Sequence, residues 1–341
     1  MVSSVSTTCW PRASARDDLK GDMGADRNRF RGLGPALITP LREDGSLDLD
    51  AFDAQVRFCM DGGVHFLVPC GTTGESATLE PREQLQVIER CVEAAAGEVP
   101  VMAGAGTNNT KEACARARAA AAAGADAILS VSPYYNKPSP EGLYRHYMTI
   151  ADAACVPVFV YNVPSRTASN VTSDTLLRLA DSHELIAGVK EASGDIQQMM
   201  TILSDRPNGF LVLSGEDHLT FAMMALGGDG AISVAANEVP ETMSEMMNAA
   251  LASDWTTARA AHYHLLPLMR MNFIETNPVP VKTALELMGR GQANFRAPLC
   301  ELSAEHLGPL RQALERAGVA LPTGETLNPP RAAATATKAD Q

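Results

Sequence analysis

Lysine is scarce in this chain of 341 residues, which has six lysines among 28 basic residues. Aromatic residues make up only 5% of the sequence, and the net charge of −12 disfavours nucleic acids and anionic membranes as partners. No apolar run approaches the roughly 20 residues that a membrane-spanning helix needs. The seven cysteines lack any CxxC spacing, which predicts a reduced, cytoplasmic setting rather than a disulfide framework.

Other signatures are missing as well. The seven histidines form no ligand cluster, so we expect no metal site. No GxGxxG turn follows the first predicted strand, which disfavours the alternative of an open, doubly wound sheet. Residues 1–30 lack the hydrophobic segment of a signal peptide, and we expect a disordered extension there or a true start at Met23. Residues 322–341, rich in Ala, Thr and Pro, predict a disordered tail.

Between these ends, apolar strands alternate with helices. Related fragments recur where a helix passes into a strand, namely DGGVHFLV at 61, AGADAILSV at 123 and GGDGAISV at 227. Eight strand–helix units predict an α/β fold, a (β/α)8 TIM barrel whose strands and helices span 31–236. The predicted strands are Pro35–Thr39, Val64–Pro69, Val99–Ala105, Asp126–Val131, Pro157–Asn162, Leu185–Lys190, Phe210–Ser214 and Gly230–Val234.

Residues 237–321 predict the last barrel helix and a C-terminal helical extension. Their apolar periodicity favours three extra helices, at Thr256–Ile274, Val281–Met288 and Ala304–Ala317. Prolines at 278, 280 and 298 separate them. We expect these helices to pack on the barrel.

Lys190 stands at the end of the apolar run LIAGV, where a strand buried on both faces is expected. One interpretation is that its aliphatic stem covers apolar surface while the ammonium reaches water. The other is a desolvated amine that forms a Schiff base with a carbonyl substrate. The sequence around Lys190 alone leaves both open.

In a barrel, the residues that follow each strand share one mouth, where such enzymes place their catalytic groups. Here those positions hold glycine-flanked hydroxyls, two adjacent tyrosines, an arginine and an amine. Each segment has an ordinary structural interpretation, but together at one mouth they predict an active site. The segments are GTTGES at 71, SPYYNKP at 132, YNVPSRT at 161, Lys190 and SGED at 214. Glu191 and Asp217 we interpret as structural carboxylates.

The motifs GTTGE, PYYNKP, YNVPSRT, GVKEAS and ETNPVPVK together resemble the dihydrodipicolinate synthase family of the lysine-dependent, pyruvate-utilising aldolases. The resemblance spans residues 34–299. It implies that Lys190 forms an imine with pyruvate and that the derived enamine attacks aspartate semialdehyde. It implies no cofactor beyond that covalent imine.

The resemblance also implies roles for individual residues. Lys190, Tyr161, Thr72 and Tyr135 would be catalytic, with Tyr161 carrying the proton and Tyr135 reaching the site of a neighbouring subunit. A homo-oligomer, a dimer of dimers, is therefore expected. The substrate-binding residues would be Thr73 for the pyruvate carboxylate, Arg166 for the carboxylate of the aldehyde, and Gly215 and Ile232 in the pocket wall.

Many relatives bind lysine near this site, and Ser76, Ala77, Asn108, Glu112 and Tyr134 match that effector site. Two histidines of the lysine-sensitive pattern are replaced by Pro81 and Gln84, so we expect weak or absent inhibition by lysine.

Two other functions remain open. Another pyruvate-dependent aldolase, such as an N-acetylneuraminate lyase or a keto-deoxy sugar acid aldolase, shares most of these motifs. A non-enzymatic 2-oxo acid sensor would be expected to have lost the amine or the proton carrier.

Overall fold

A computed structural model describes residues 27–322, in which one curled sheet of seven parallel strands is packed against helices. The strands are β1 Gly32–Pro35, β2 Met102–Gly104, β3 Ala127–Val131, β4 Val158–Asn162, β5 Ile186–Glu191, β6 Leu211–Ser214 and β7 Gly230–Ser233. Their order in the sheet is β1-β7-β6-β5-β4-β3-β2, and every pairing is parallel. The carboxyl ends of all strands therefore meet at one edge.

The prediction of a continuous strand at Val64–Pro69 is wrong, because the paired region is much shorter. Only two isolated parallel bridges form there, between Val68 and Ala36 beyond β1 and between Leu67 and Val101 before β2. The proline that closes the segment has no N–H to donate, which limits a regular ladder. The segment nevertheless contacts the chain at both edges of the sheet.

The first strand begins earlier than predicted. We expected Pro35–Thr39, whereas β1 covers Gly32–Pro35. The prediction missed this segment because two of its four residues are glycines, which are uncommon in strands. The fold requires glycine at one of these positions. A Cβ on Gly34 would lie 2.1 Å from Cε2 of Phe66, whose ring packs directly on the backbone.

The three C-terminal helices begin and end within three residues of their predicted bounds. The proline at the first position of the helix Pro81–Ala95 is preceded by a capping box between Glu80 and Glu83, which satisfies free N–H groups of the first turn. The short helix Pro164–Thr167 was not predicted. The helices are α1 Leu49–Asp61, α2 Pro81–Ala95, α3 Thr110–Ala122, α4 Pro140–Ala154, α5 Pro164–Thr167, α6 Ser173–Ser182, α7 Ile196–Asp205, α8 Asp217–Ala225, α9 Pro240–Leu251, α10 Trp255–Met271, α11 Val279–Leu287 and α12 Ala304–Arg316.

The predicted N-terminal extension of residues 1–30 ends too late. Asn28–Phe30 form a 3-10 turn, and the Phe30 side chain is fully buried against Phe66 and Phe159 in edge-to-face ring contacts. Burial of an aromatic ring of this size stabilises the fold by about 1.5–3 kcal/mol, so Phe30 belongs to the folded part of the chain. Residues 1–26, and the predicted tail beyond Pro322, lie outside the described residues.

The apolar side chains divide into clusters on the two faces of the sheet. One cluster lies among alternate strand residues such as Met102, Leu129 and Leu213, and a larger one joins the other face to the helices. Within residues 27–322, no helix combines the length and apolar character needed to cross a lipid bilayer.

Candidate active site

Lys190 is the penultimate residue of β5, at the carboxyl edge of the sheet, and is 6% exposed. It is in register with Tyr161 of β4 and Leu213 of β6. Its Nζ lies 4.4 Å from the centroid of the Tyr161 ring. Among the described residues, no hydrogen bond or ion pair ties this amine to an oxygen. The amine is thus both desolvated and available.

A second buried lysine, Lys282 on α11, is held in a different way. Its Nζ donates to Oε1 of Glu75 at 2.5 Å, to the carbonyl oxygen of Asn294 at 2.5 Å and to that of Thr39 at 3.2 Å. Burial lowers the pKa of Lys282, and the Glu75 carboxylate acts in the opposite direction. Three oxygens saturate this group, so Lys282 is an anchor rather than a nucleophile.

A cavity of about 390 Å³ opens above Lys190. Six of the predicted site residues line it, although they come from four different parts of the chain. These residues are Thr72, Thr73, Tyr161, Arg166, Lys190 and Gly215. The cavity therefore combines an amine, a phenol, two hydroxyls and a guanidinium.

The loop that carries Thr72 and Thr73 is anchored from several sides. The Thr39 hydroxyl donates to the carbonyl oxygen of Gly74 at 2.8 Å, and Glu75 is tied to Lys282. Thr73 is 2% exposed, and its hydroxyl accepts a hydrogen bond of 2.9 Å from Nδ2 of Asn277. The Thr73 hydroxyl is thus fixed before any ligand arrives, which lowers the cost of binding.

Gly215 follows β6 and has a steric reason to be glycine. A Cβ at this position would lie 2.7 Å from the Cβ of Ala192 and 3.0 Å from Cε of Lys190. The missing side chain leaves the space that the Lys190 stem occupies. A substitution to alanine would push on the amine.

Two predicted residues do not line this cavity. Tyr135 is 90% exposed in the loop after β3, with its backbone at φ 70°. Ile232 is 1% exposed inside the sheet, and Val234 lines the cavity two residues further on. A role for Tyr135 would need a second subunit, and the predicted place of Ile232 in the pocket wall would involve its backbone rather than its buried side chain.

Four of the five residues matched to the effector site belong to two hydrogen-bonded groups. Asn108 Nδ2 donates to the carbonyl oxygen of Tyr134 at 3.1 Å. Arg116 forms an ion pair with Glu112 and donates to Oε1 of Gln84 at 3.1 Å. Gln84 in turn donates to the carbonyl oxygen of Ser76 at 2.6 Å, whereas Ala77 is exposed.

Glu112, Gln84 and Arg116 also line a second cavity, of about 480 Å³, between α2 and α3. Most of its remaining wall is apolar, as the side chains of Leu85 and Ile88 illustrate. This second cavity shares no lining residue with the cavity above Lys190.

The sequence analysis missed five polar residues of the main cavity, namely Ser165, Glu216, Glu275, Thr276 and Asn277. All five belong to motifs already noted, YNVPSRT, SGED and ETNPVPVK, so the signal was present but unassigned. The carboxylates interpreted as structural, Glu191 and Asp217, are buried at 0% and 2% exposure and accept hydrogen bonds within the fold. A free amine next to a phenol at the carboxyl edge of a parallel sheet is an arrangement that suits Schiff-base chemistry.

Comparison with known proteins agrees with an enzyme of the Schiff-base class. The model of the dihydrodipicolinate synthetase family matches residues 29–317. This chain belongs to that family, which confirms the resemblance. The 4-hydroxy-tetrahydrodipicolinate synthase of Koribacter versatilis (strain Ellin345) is 50% identical over 292 residues, covering 85% of this chain and 97% of the relative.

Solved structures show the same likeness. The dihydrodipicolinate synthase of Aquifex aeolicus has a TM-score of 0.84 and 43% identity, covering 86% of this chain and all of that one. The chloride-inhibited enzyme of Acinetobacter baumannii, solved in complex with pyruvate, has a TM-score of 0.83 and 40% identity, covering 85% of this chain and 99% of the other.

Proposed function

We propose that this enzyme condenses pyruvate with L-aspartate 4-semialdehyde to 4-hydroxy-tetrahydrodipicolinate, in the biosynthesis of lysine and diaminopimelate. It is a lyase of the class I aldolase type. One observation carries the proposal, namely the buried Lys190 amine 4.4 Å from the Tyr161 ring in a cavity that Arg166 also lines. Relatives that are 50% identical over nearly their whole length support the choice of substrates.

Lys190 attacks the ketone carbon of pyruvate, and loss of water leaves an iminium. Its positive nitrogen draws electrons from the methyl group, which loses a proton to give an enamine. The enamine carbon then forms a bond to the aldehyde carbon of the second substrate. Tyr161 moves the protons at the imine, with the Thr72 hydroxyl and Tyr135 as relay. No metal or other cofactor enters this sequence.

The remaining pocket residues bind rather than react. The Thr73 loop offers backbone N–H and hydroxyl donors to the pyruvate carboxylate. Arg166 is exposed at the mouth and binds the carboxylate of the aldehyde substrate, for which a guanidinium has matched geometry. Gly215 and the carbonyl oxygen of Ile232 complete the wall.

We infer that the sheet closes into an eight-stranded barrel. The bridges at Leu67 and Val68 link the two edge strands, so this segment takes the place of the missing strand. We assign residues 31–236 to the barrel and 237–321 to its last helix and a C-terminal helical extension. Tyr135, 90% exposed, fits assembly into a dimer of dimers in which it completes a neighbouring site. The cytoplasm is the expected location.

The first prediction tests the imine. Purified protein is mixed with pyruvate and borohydride and weighed by mass spectrometry. We expect one reduced adduct, mapped to Lys190, that disappears in favour of cyclic product when aspartate semialdehyde is present. Lys190→Met should give no adduct, since no other described lysine combines burial with an unbound amine.

The matched control is Lys111→Met, an exposed lysine at the start of α3 that should trap pyruvate normally. An adduct that persists unchanged with aspartate semialdehyde would direct the search to sugar-derived aldehydes and a lyase-type aldolase. No adduct in the unmodified protein would leave a 2-oxo acid sensor and remove the enzyme proposal.

The second prediction concerns lysine. Because the Arg116 guanidinium already pairs with Glu112 and Gln84, a free lysine ammonium would compete with an internal cation. We expect initial rates to be nearly unchanged at millimolar lysine. Half-inhibition by sub-millimolar lysine would contradict this expectation.

A further inference from the structure

Two carboxylates, Glu216 and Glu275, line the candidate cavity, and two more, Glu191 and Asp217, are chain neighbours of lining residues. Three of the four are already engaged. Glu191 accepts hydrogen bonds from the side-chain amides of Asn162 and Gln198. Asp217 accepts two backbone N–H groups of the turn after β7, at 3.0 and 2.8 Å. These contacts hold strand ends together, and neither side chain is among those that line the cavity.

Glu275, which lines the cavity from the C-terminal part of the chain, is engaged as well. Its Oε1 contacts Nδ1 of His306 at 2.6 Å and accepts the backbone N–H of Ser303 at 3.0 Å. The fourth carboxylate, Glu216, also lines the cavity, at the entrance to α8. Within residues 27–322, its one ion-pair contact is to Nδ1 of His218 at 3.8 Å, beyond hydrogen-bond distance.

The Glu216 side chain is 21% exposed. Burial, and secondarily the neighbouring Asp217, raises the pKa of Glu216 to about 7, while Lys190 and Arg166 act in the opposite direction. A carboxyl group with a pKa near neutrality can both hold and release a proton under working conditions. The same cavity thus contains a carboxylate and a guanidinium, neither of them neutralised by a close partner among the described residues.

The charges of Glu216 and Arg166 are complementary to those of an amino acid, which has one ammonium and one carboxylate on the same carbon. We propose that Glu216 binds the α-ammonium of the amino-acid aldehyde while Arg166 binds its carboxylate, and that Glu216 takes the proton this ammonium must lose before the ring closes. The proposal rests on the proposed function, because it concerns the second substrate of that reaction.

The step is balanced as follows. Glu216 accepts one proton from the ammonium, and the neutral amine uses its lone pair to form a C–N bond at the iminium carbon on Lys190. A proton then moves from the attacking nitrogen to the Lys190 nitrogen. The C–N bond to Lys190 breaks with its electron pair on that nitrogen, which leaves a neutral lysine and a cyclic iminium. Glu216 afterwards returns its proton to water.

The test compares two aldehydes in the unmodified enzyme and in Glu216→Gln, which keeps the shape but removes the charge. With aspartate semialdehyde, kcat/KM should fall about 10- to 100-fold, the equivalent of one lost charge-assisted hydrogen bond. The amine-free analogue 4-oxobutanoate should condense with bound pyruvate equally well in both proteins. This reaction is followed as the mass of the borohydride-reduced adduct that contains both carbon skeletons.

Two further variants sharpen the result. Glu216→Asp should recover part of the lost kcat/KM, and the exposed Glu245→Gln on α9 should behave as the unmodified enzyme. Equal kcat/KM in Glu216→Gln and the unmodified protein would overturn the proposal and leave the condensation reaction standing. Equal losses with both aldehydes would also overturn it, since Glu216 would then act on the pyruvate adduct. If the unmodified protein does not consume aspartate semialdehyde at all, the proposed function itself fails.

Discussion

Tyr161→Phe should lower kcat with pyruvate and aspartate semialdehyde by about 10²- to 10⁴-fold, the usual worth of a positioned proton carrier. The substitution removes one oxygen and keeps the ring that Lys190 faces at 4.4 Å. Tyr161 is 7% exposed and stands in register with Lys190, so packing and the position of the amine should be retained. Initial rates and circular dichroism are measured together.

The matched control is Tyr147→Phe. Tyr147 is fully buried, and its hydroxyl donates to the carbonyl oxygen of Ser130 at 3.2 Å. Its loss should cost about 1 kcal/mol of stability without affecting turnover, because it lies outside the cavity. Turnover like that of the unmodified enzyme in Tyr161→Phe would exclude Tyr161 from the proton transfers.

Lys282→Met should destabilise the protein by about 3–5 kcal/mol, because it leaves a buried carboxylate without its cation. The side chains of Lys282 and Glu75 are 0% and 1% exposed, and their charged atoms are 2.5 Å apart. The double variant Lys282→Met/Glu75→Gln should recover much of this loss, since no uncompensated charge remains. Unfolding in urea gives the free energies for the unmodified protein and both variants.

Arg145→Met is the matched control for an ion pair on the surface. Arg145 pairs with Glu141 at 2.9 Å within α4, but its side chain is 78% exposed. Its removal should change the free energy of unfolding by less than about 1 kcal/mol. A loss of the same small size in Lys282→Met would show that the buried pair does not anchor the loop that contains Thr72 and Thr73.

Several parts of the candidate site could be predicted because their signals are local. Lys190 stands out as a charged residue closing an apolar run, and Arg166 and Thr73 lie in the loops that follow predicted strands. In a parallel sheet, residues after strands converge without any knowledge of packing. Glu216 was missed because its importance depends on which neighbouring carboxylates are already engaged, and that depends on hydrogen bonds made by distant residues.

Long-range contacts account for the other differences. The glycines of β1 argue against a strand in the sequence. The need for Gly34 becomes visible only in the fold, where the Phe66 ring packs on its backbone. Phe30 was placed in a disordered extension because only the assembled sheet offers two aromatic rings to receive it. Lys282 and Glu75 each end a motif noted in the sequence, ETNPVPVK and GTTGE, but their pairing was not predicted because they are 207 residues apart.

The sequence by itself determined the alternation of parallel strands and helices, the family, and the lysine at the end of β5. These features depend on hydrophobic periodicity, on helix caps and on motifs of a few residues, all of which act over short distances. Tertiary structure alone decided that Asn277 holds Thr73 from 204 residues away, and that Glu216 keeps a free carboxylate beside Arg166. The reason is physical, because burial and hydrogen-bond pairing are properties of the packed chain as a whole and not of any segment of it.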